Sequence, residues 1–151
     1  MTALEILIAL LKEFEGCQLT AYRDEVGIWT IGYGETLGIT EDMAWTADQA
    51  TTHLAARAGN FLESVLASCP QLKSEPPYRQ AACASLAYNI GSGGFANSTV
   101  CHDTIAQLYD QAAEAFLLWD KETIHGQLVV SPGILNRRTK ERDIYLNGYH
   151  S

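Results

Sequence analysis

Residues 13–35 run EFEGCQLTAYRDEVGIWTIGYGE, and at Gly16 the spacing of apolar residues changes from helical to strand-like. On the N-terminal side, Thr2 and Glu5 have the form of a capping box. Leu4, Leu7, Ile8, Leu11 and Phe14 then recur at helical spacing, and Gly16 is the stop. This predicts a helix over residues 3–15 with Glu15 in its last turn. The carbonyl end of a helix and the apolar neighbours Leu11 and Phe14 both favour the neutral form of that carboxyl. On the C-terminal side, LTAYRDEVGIWTIGYG is rich in β-branched and aromatic residues and broken at Gly27. It reads as a hairpin with a loop of about five residues around Glu25–Trp29. Asp24 and Thr30 flank that loop and are expected to be cross-strand neighbours on one face. Gly32 and Gly34 suggest a bulge or the close approach of a ligand.

A neutral carboxyl that can donate a proton, an ionised carboxylate and a hydroxyl that can orient water are what an inverting glycosidase needs. Spacing alone favours a blander reading, a helix end followed by an acidic turn. The rest of the chain supplies context. Thr46 and Gln49 form a second capping box, and Ala50, Leu54, Ala58, Phe61, Leu62 and Val65 share one face of a helix ending near Ala67. From Pro76 onward every element reads as helical: about 77–90, a start near Ser98, about 110–121, and a last helix opening at Ser131-Pro132.

Composition narrows the partners. The chain has 151 residues, 47% hydrophobic, and a net charge of −8. That suits one domain with a real core and leaves no basic surplus for nucleic acid or for anionic surfaces. The apolar run LEILIALL is too short to span a bilayer and has no basic residue before it, so neither stable membrane insertion nor a signal peptide is expected. Four cysteines and four histidines are dispersed without metal-ligand spacing, so no metal and no cofactor is expected. Most of the cysteines read as small buried hydrophobes.

Beyond these patterns, Phe14-Glu15-Gly16, Ala21-Tyr22-Arg23-Asp24 and Val26 through Gly34 closely resemble the phage-type lysozymes (endolysins) of glycoside hydrolase family 24. The resemblance continues through Asn89-Ile90-Gly91, Gly94 to Thr99, and Pro132 to Arg142, where a G-L-x-x-R-R-x-x-E-R pattern is nearly met. It implies an α+β lysozyme-like fold in a single domain. An N-terminal lobe of about 14–45 and a connecting helix of about 46–67 would precede a helical lobe of about 75–149 packed with helix 3–15, with the active-site cleft between the lobes.

The implied activity is hydrolysis of the β-1,4 bond between N-acetylmuramic acid and N-acetylglucosamine in peptidoglycan. Glu15 would be the acid, Asp24 would support the attacking water or the cationic transition state, and Thr30 would hold the water. Sugar contacts would come from Thr36, Tyr88 and Ser98. Tyr88 fits a core position as well as a sugar platform, and Ser98 fits a helix N-cap. Glu35 stands where many members carry His and reads as a solvated hairpin residue. Ala115 stands where a coliphage relative has Asn, so that sugar contact is lost or replaced. The cluster Arg137, Arg138, Lys140 and Arg142 reads mainly as a solvated face with pairs such as Arg138–Glu141; one of the first two is expected to reach Glu15, with Arg138 preferred. The partners implied are glycan strands and, indirectly, a holin-type protein that lets a monomer waiting in the host cytoplasm reach the periplasm and cell wall. The competing readings are a catalytically silent peptidoglycan-binding relative, a bacterial effector, and a lytic transglycosylase.

Overall fold

The computed structural model describes residues 1–150. Helix α1 (Ala3–Glu15) starts where the Thr2 hydroxyl oxygen accepts from the Glu5 N–H at 3.1 Å, and it stops at Gly16, whose φ of +65° a side-chain-bearing residue resists. Its buried stripe is Ala3, Ile6, Leu7, Leu10 and Leu11. Leu4, Ile8 and Phe14 flank it half-buried, so the helix is rotated slightly from the face expected.

Strands β1 (Gln18–Arg23) and β2 (Trp29–Gly32) pair antiparallel, with Arg23 opposite Trp29, Tyr22 opposite Thr30 and Gln18 opposite Gly32. Four steps along β1 match two along β2, so β1 bulges. The far edge of β1 is covered by residues 43–45: the Ala21 N–H donates to the Met43 carbonyl at 2.9 Å, and the Trp45 N–H to that of Leu19 at 2.8 Å. Gly32 has φ +66°, and a Cβ there would lie 2.8 Å from a Trp45 ring carbon. The close approach signalled by this glycine is therefore made by Trp45.

Helix α2 (Ala47–Ser68) carries the full capping box, with Gln49 N–H to Thr46 Oγ1 at 3.1 Å and Thr46 N–H to Gln49 Oε1 at 2.8 Å. Its stripe of Ala50, Leu54, Ala58 and Val65 is buried. A 3₁₀ turn (Pro70–Ser74) leads into α3 (Pro77–Ile90). Residues 81–88, AACASLAY, are buried without a break. A helix apolar on all sides belongs in the middle of a fold, and the small residues let α1, α2 and α7 pack closely around it. Cys69, Cys83 and Cys101 are buried in this core, as expected for most of the cysteines, while Cys17 is exposed.

The remaining elements are α4 (Ser92–Ala96), α5 (Thr99–Ile105), α6 (Tyr109–Ala115) with a 3₁₀ turn through Leu118, β3 (Lys121–Ile124), β4 (Gln127–Val130) and α7 (Pro132–Asn147). The β3–β4 hairpin corrects the all-helical reading after Pro76. His125 and Gly126 turn it with φ of +50° and +80°, a two-residue turn in which both central residues are left-handed. Every residue from 121 to 130 is exposed. Among the described residues no helix is long and apolar enough to cross a membrane.

Candidate active site

Glu15 ends α1 with its side chain 23% exposed, and Arg137 Nη1 donates to its Oε1 at 2.6 Å. Helix α7 thus supplies the cation at Glu15, from the first of the two adjacent arginines. Arg138, the one expected there, points a helical step away into the core. It is 0% exposed, bonding Glu141 Oε1 from Nη1 at 2.6 Å, the Trp119 carbonyl from Nε at 2.9 Å, and Asn89 Oδ1. Burial lowers the pKa of this guanidinium, and the charge of Glu141 opposes that. The Arg138–Glu141 pair exists as the spacing suggests, but it is buried rather than solvated.

Asp24 begins the loop between β1 and β2. Its Oδ1 accepts from the Val26 N–H at 3.0 Å and the Ile28 N–H at 2.9 Å, while its backbone N–H donates to the Ile28 carbonyl at 3.0 Å. One carboxylate oxygen therefore organises the loop. Thr30 is 4% exposed, and its hydroxyl donates to the Ile28 carbonyl at 2.9 Å, which leaves its oxygen lone pairs as acceptors. Its direct cross-strand partner is Tyr22, not Asp24; Asp24 lies two residues further along. Glu15, Gly16, Cys17, Gln18, Tyr22 and Gly32 line a cavity of about 390 Å³. A second, of about 470 Å³, lies on the Arg137 side, bounded by Phe14, Asn89, Asn136 and Lys140. The Glu15–Arg137 pair stands where the two sets of walls meet.

The residues expected to hold sugar fare differently. Tyr88 is 9% exposed: the Arg57 guanidinium sits 4.6 Å over its ring, Phe61 packs at 5.1 Å, and its hydroxyl donates to the Tyr33 carbonyl at 3.2 Å. Burial raises its pKa to about 12. Arg57 covers one face of the ring and little of it is exposed, which suits the core reading. Ser98 is the N-cap of α5, accepting from the Cys101 N–H at 3.1 Å and donating to the Phe95 carbonyl at 2.6 Å. At 4% exposure it has little left to offer a ligand. Thr36 is exposed beyond the Ile31–Glu35 turn and does not line the cavity at Glu15. Glu35 departs from the solvated role expected: it is 9% exposed, folded under α2 by that turn and paired with Arg57 at 3.4 Å.

Glu141 and Ser85 escaped the sequence reading as site residues. Glu141 is 0% exposed, and its Oε2 accepts from the Ser85 hydroxyl at 2.5 Å and from Arg137 Nε at 3.3 Å. The signal was present, since Arg137 and Glu141 are spaced i, i+4 and Arg138 and Glu141 i, i+3. Among the described residues no group of three or more His, Cys, Asp and Glu side chains is placed to hold a metal ion.

A model of the phage lysozyme family matches residues 12–141. The endolysin of Salmonella phage P22 is 34% identical over 145 residues, covering 93% of this chain and 94% of its own length. That of Acyrthosiphon pisum secondary endosymbiont phage 1 is 29% identical over 138 residues, covering 91% and 93%. The solved endolysin from Escherichia coli O157:H7 phage FAHEc1 superposes with a TM-score of 0.89 at 34% identity, covering 100% of this chain and 97% of that one.

Proposed function

The chain belongs to the phage lysozyme family, and from that premise we propose how its residues carry out peptidoglycan hydrolysis. The protein is a glycoside hydrolase acting on the bacterial cell wall. The bond cleaved is the β-1,4 link from N-acetylmuramic acid to N-acetylglucosamine. Glu15 donates a proton to the departing glycosidic oxygen. Thr30 Oγ1 accepts one hydrogen of a water on the opposite face of the sugar, and Asp24 takes the proton that this water loses as its oxygen bonds to the anomeric carbon. The product sugars together gain one water, and the two carboxyl groups return to their starting states by exchange with solvent. Arg137 orients the Glu15 carboxyl and offsets the charge left on it when the proton departs.

One observation supports this reading above the rest. The carboxyl at the end of α1 opens into a cavity whose other walls include Gln18, Tyr22 and Gly32 of the β1–β2 hairpin; Thr30 and Asp24 do not line it, but Thr30 is paired directly with Tyr22, which does. The acid is thus carried by α1 and the groups assigned to the water by the hairpin beside it. The Asp24 oxygen that takes no loop hydrogen bond remains available as a base.

The biological setting follows from the same reading: lysis of the host at the end of a phage cycle, with access to the periplasm provided by a holin-type partner. Digestion of purified peptidoglycan tests the chemistry. Mass analysis is expected to show reducing muramic acid ends, and proton NMR of early product the α-anomer. An anhydro sugar would make the enzyme a transglycosylase, an initial β-anomer would remove the water-holding role from Thr30, and no cleavage would leave only a binding protein.

A further inference from the structure

Burying a carboxylate completely is costly, and Glu141 is 0% exposed in a core that apolar residues would fill more cheaply. Its oxygens are divided between two tasks. Oε1 takes Arg138, which is tied to the Trp119 carbonyl and Asn89 and so belongs to the packing of α7. Oε2 takes the Ser85 hydroxyl at 2.5 Å and Arg137 Nε at 3.3 Å. Arg137 is held a second time by the Ser85 carbonyl, which accepts from Nη2 at 3.2 Å, and a third time by the Phe14 ring, 4.7 Å from its guanidinium carbon. With Nε and Nη2 committed to α7 and α3, the remaining arm, Nη1, faces Glu15 at 2.6 Å. A guanidinium is planar, so fixing two of its nitrogens fixes the direction of the third.

We propose that Glu141 and Ser85 are positioning residues: they act through Arg137 to set the orientation of the Glu15 carboxyl, and neither touches the substrate. The inference rests on the reading of Glu15 as the acid. A chain of contacts runs from the centre of α3 through α7 to the last turn of α1. Removing the Ser85 hydroxyl leaves both charges of the pair in place but frees Glu141 Oε2 to turn. Removing the charge of Glu141 weakens its hold on Arg137 Nε. In either case the arm that meets Glu15 loses its fixed direction. Small misplacements of a reacting group cost on the order of 10²-fold in rate.

The test uses the intact protein and a soluble peptidoglycan oligomer, at a temperature where every variant is folded by circular dichroism. Glu141→Gln is expected to lower kcat by roughly ten- to a hundredfold with KM within about twofold, because ground-state sugar contacts do not involve this chain. Ser85→Ala, which keeps all four charges, is expected to lower kcat about three- to tenfold in the same pattern; it decides the matter should Glu141→Gln fail to fold. Combining Ser85→Ala with Arg137→Ala should cost no more kcat than Arg137→Ala alone. The same factor lost in both backgrounds would show that the hydroxyl does not act through Arg137, and a rise in KM with kcat unchanged would show a binding role; either overturns the proposal. If Glu15→Gln is inactive while Ser85→Ala and Glu141→Gln keep full kcat, only the positioning roles fail. If Glu15→Gln is active, the acid assignment falls with them.

Discussion

Glu15→Gln should abolish most of the lytic activity while leaving the fold in place. The amide keeps the size of the side chain and can still meet Arg137, but it has no proton to give to the leaving oxygen. General acid catalysis contributes roughly 10²- to 10⁴-fold, so kcat is expected to fall by that range. The fold should survive because Arg137 retains Glu141 and the Ser85 carbonyl as partners. Two opposing terms set the change in stability. The variant loses a charge-assisted hydrogen bond worth about 1.5–3 kcal/mol, and it relieves a negative charge at a helix C-terminus, worth about 0.3–1 kcal/mol. Turbidity loss of a cell-wall suspension measures the rate, and circular dichroism the fold. A folded variant retaining more than about a tenth of the activity would take the acid role away from Glu15.

Arg138→Met, in α7, should act on stability instead. The guanidinium is 0% exposed and bonds Glu141, Asn89 and the Trp119 carbonyl. Methionine fills much of the space, but the carboxylate of Glu141 is then balanced by Arg137 alone and the Trp119 carbonyl loses its donor. Breaking a buried pair from one side costs about 3–5 kcal/mol, which for a chain of this length is roughly 6–20 °C in melting temperature. Arg142→Met is the comparison. Its partner Asp143 is 56% exposed, and exposed pairs contribute about 0–1 kcal/mol. Equal melting temperatures for the two variants would mean that the buried Arg138–Glu141 pair is not a structural element.

Arg137 and Arg138 show where sequence reasoning stops. The motif Arg137-Arg138-x-x-Glu141 is plain in the sequence, and its i, i+3 and i, i+4 pairs follow from helical geometry. Which arginine meets Glu15 depends on how α7 is rotated against α3. That rotation is set by Ser85, Glu141 and Tyr145 in the packed interior, so no local signal carries it. Tyr88 is similar: Arg57 and Phe61, from a helix some thirty residues earlier, decide that its ring is covered.

Features determined within a few residues were legible. Thr2 and Gly16 bound α1, Thr46 and Gln49 open α2, Ser131 and Pro132 open α7, and the loop 24–28 has the expected five residues. The β3–β4 hairpin was local too, yet it was misread. Thr123-Ile124-His125-Gly126-Gln127-Leu128-Val129-Val130 pairs branched residues across a two-residue turn, but His-Gly is a weaker turn signal than Asn-Gly, and helices on both sides favoured continuation. Gly32 and Gly34 were expected to mark a bulge or the approach of a ligand; the bulge is in β1, and the close neighbour of Gly32 is Trp45, thirteen residues on.

The placement of the four cysteines gives the molecule a built-in clock. Cys17 is exposed beside the cavity at Glu15, whereas Cys69, Cys83 and Cys101 are sealed in the helical core. Only a thiolate reacts with an alkylating reagent, and burial raises the pKa of the Cys83 thiol well above its ordinary value while denying the reagent access. The native chain thus takes up one label quickly, and the next three only as fast as the core opens. The interval between first and later labels therefore reads the rate of that opening, without denaturant and without an assay of lysis.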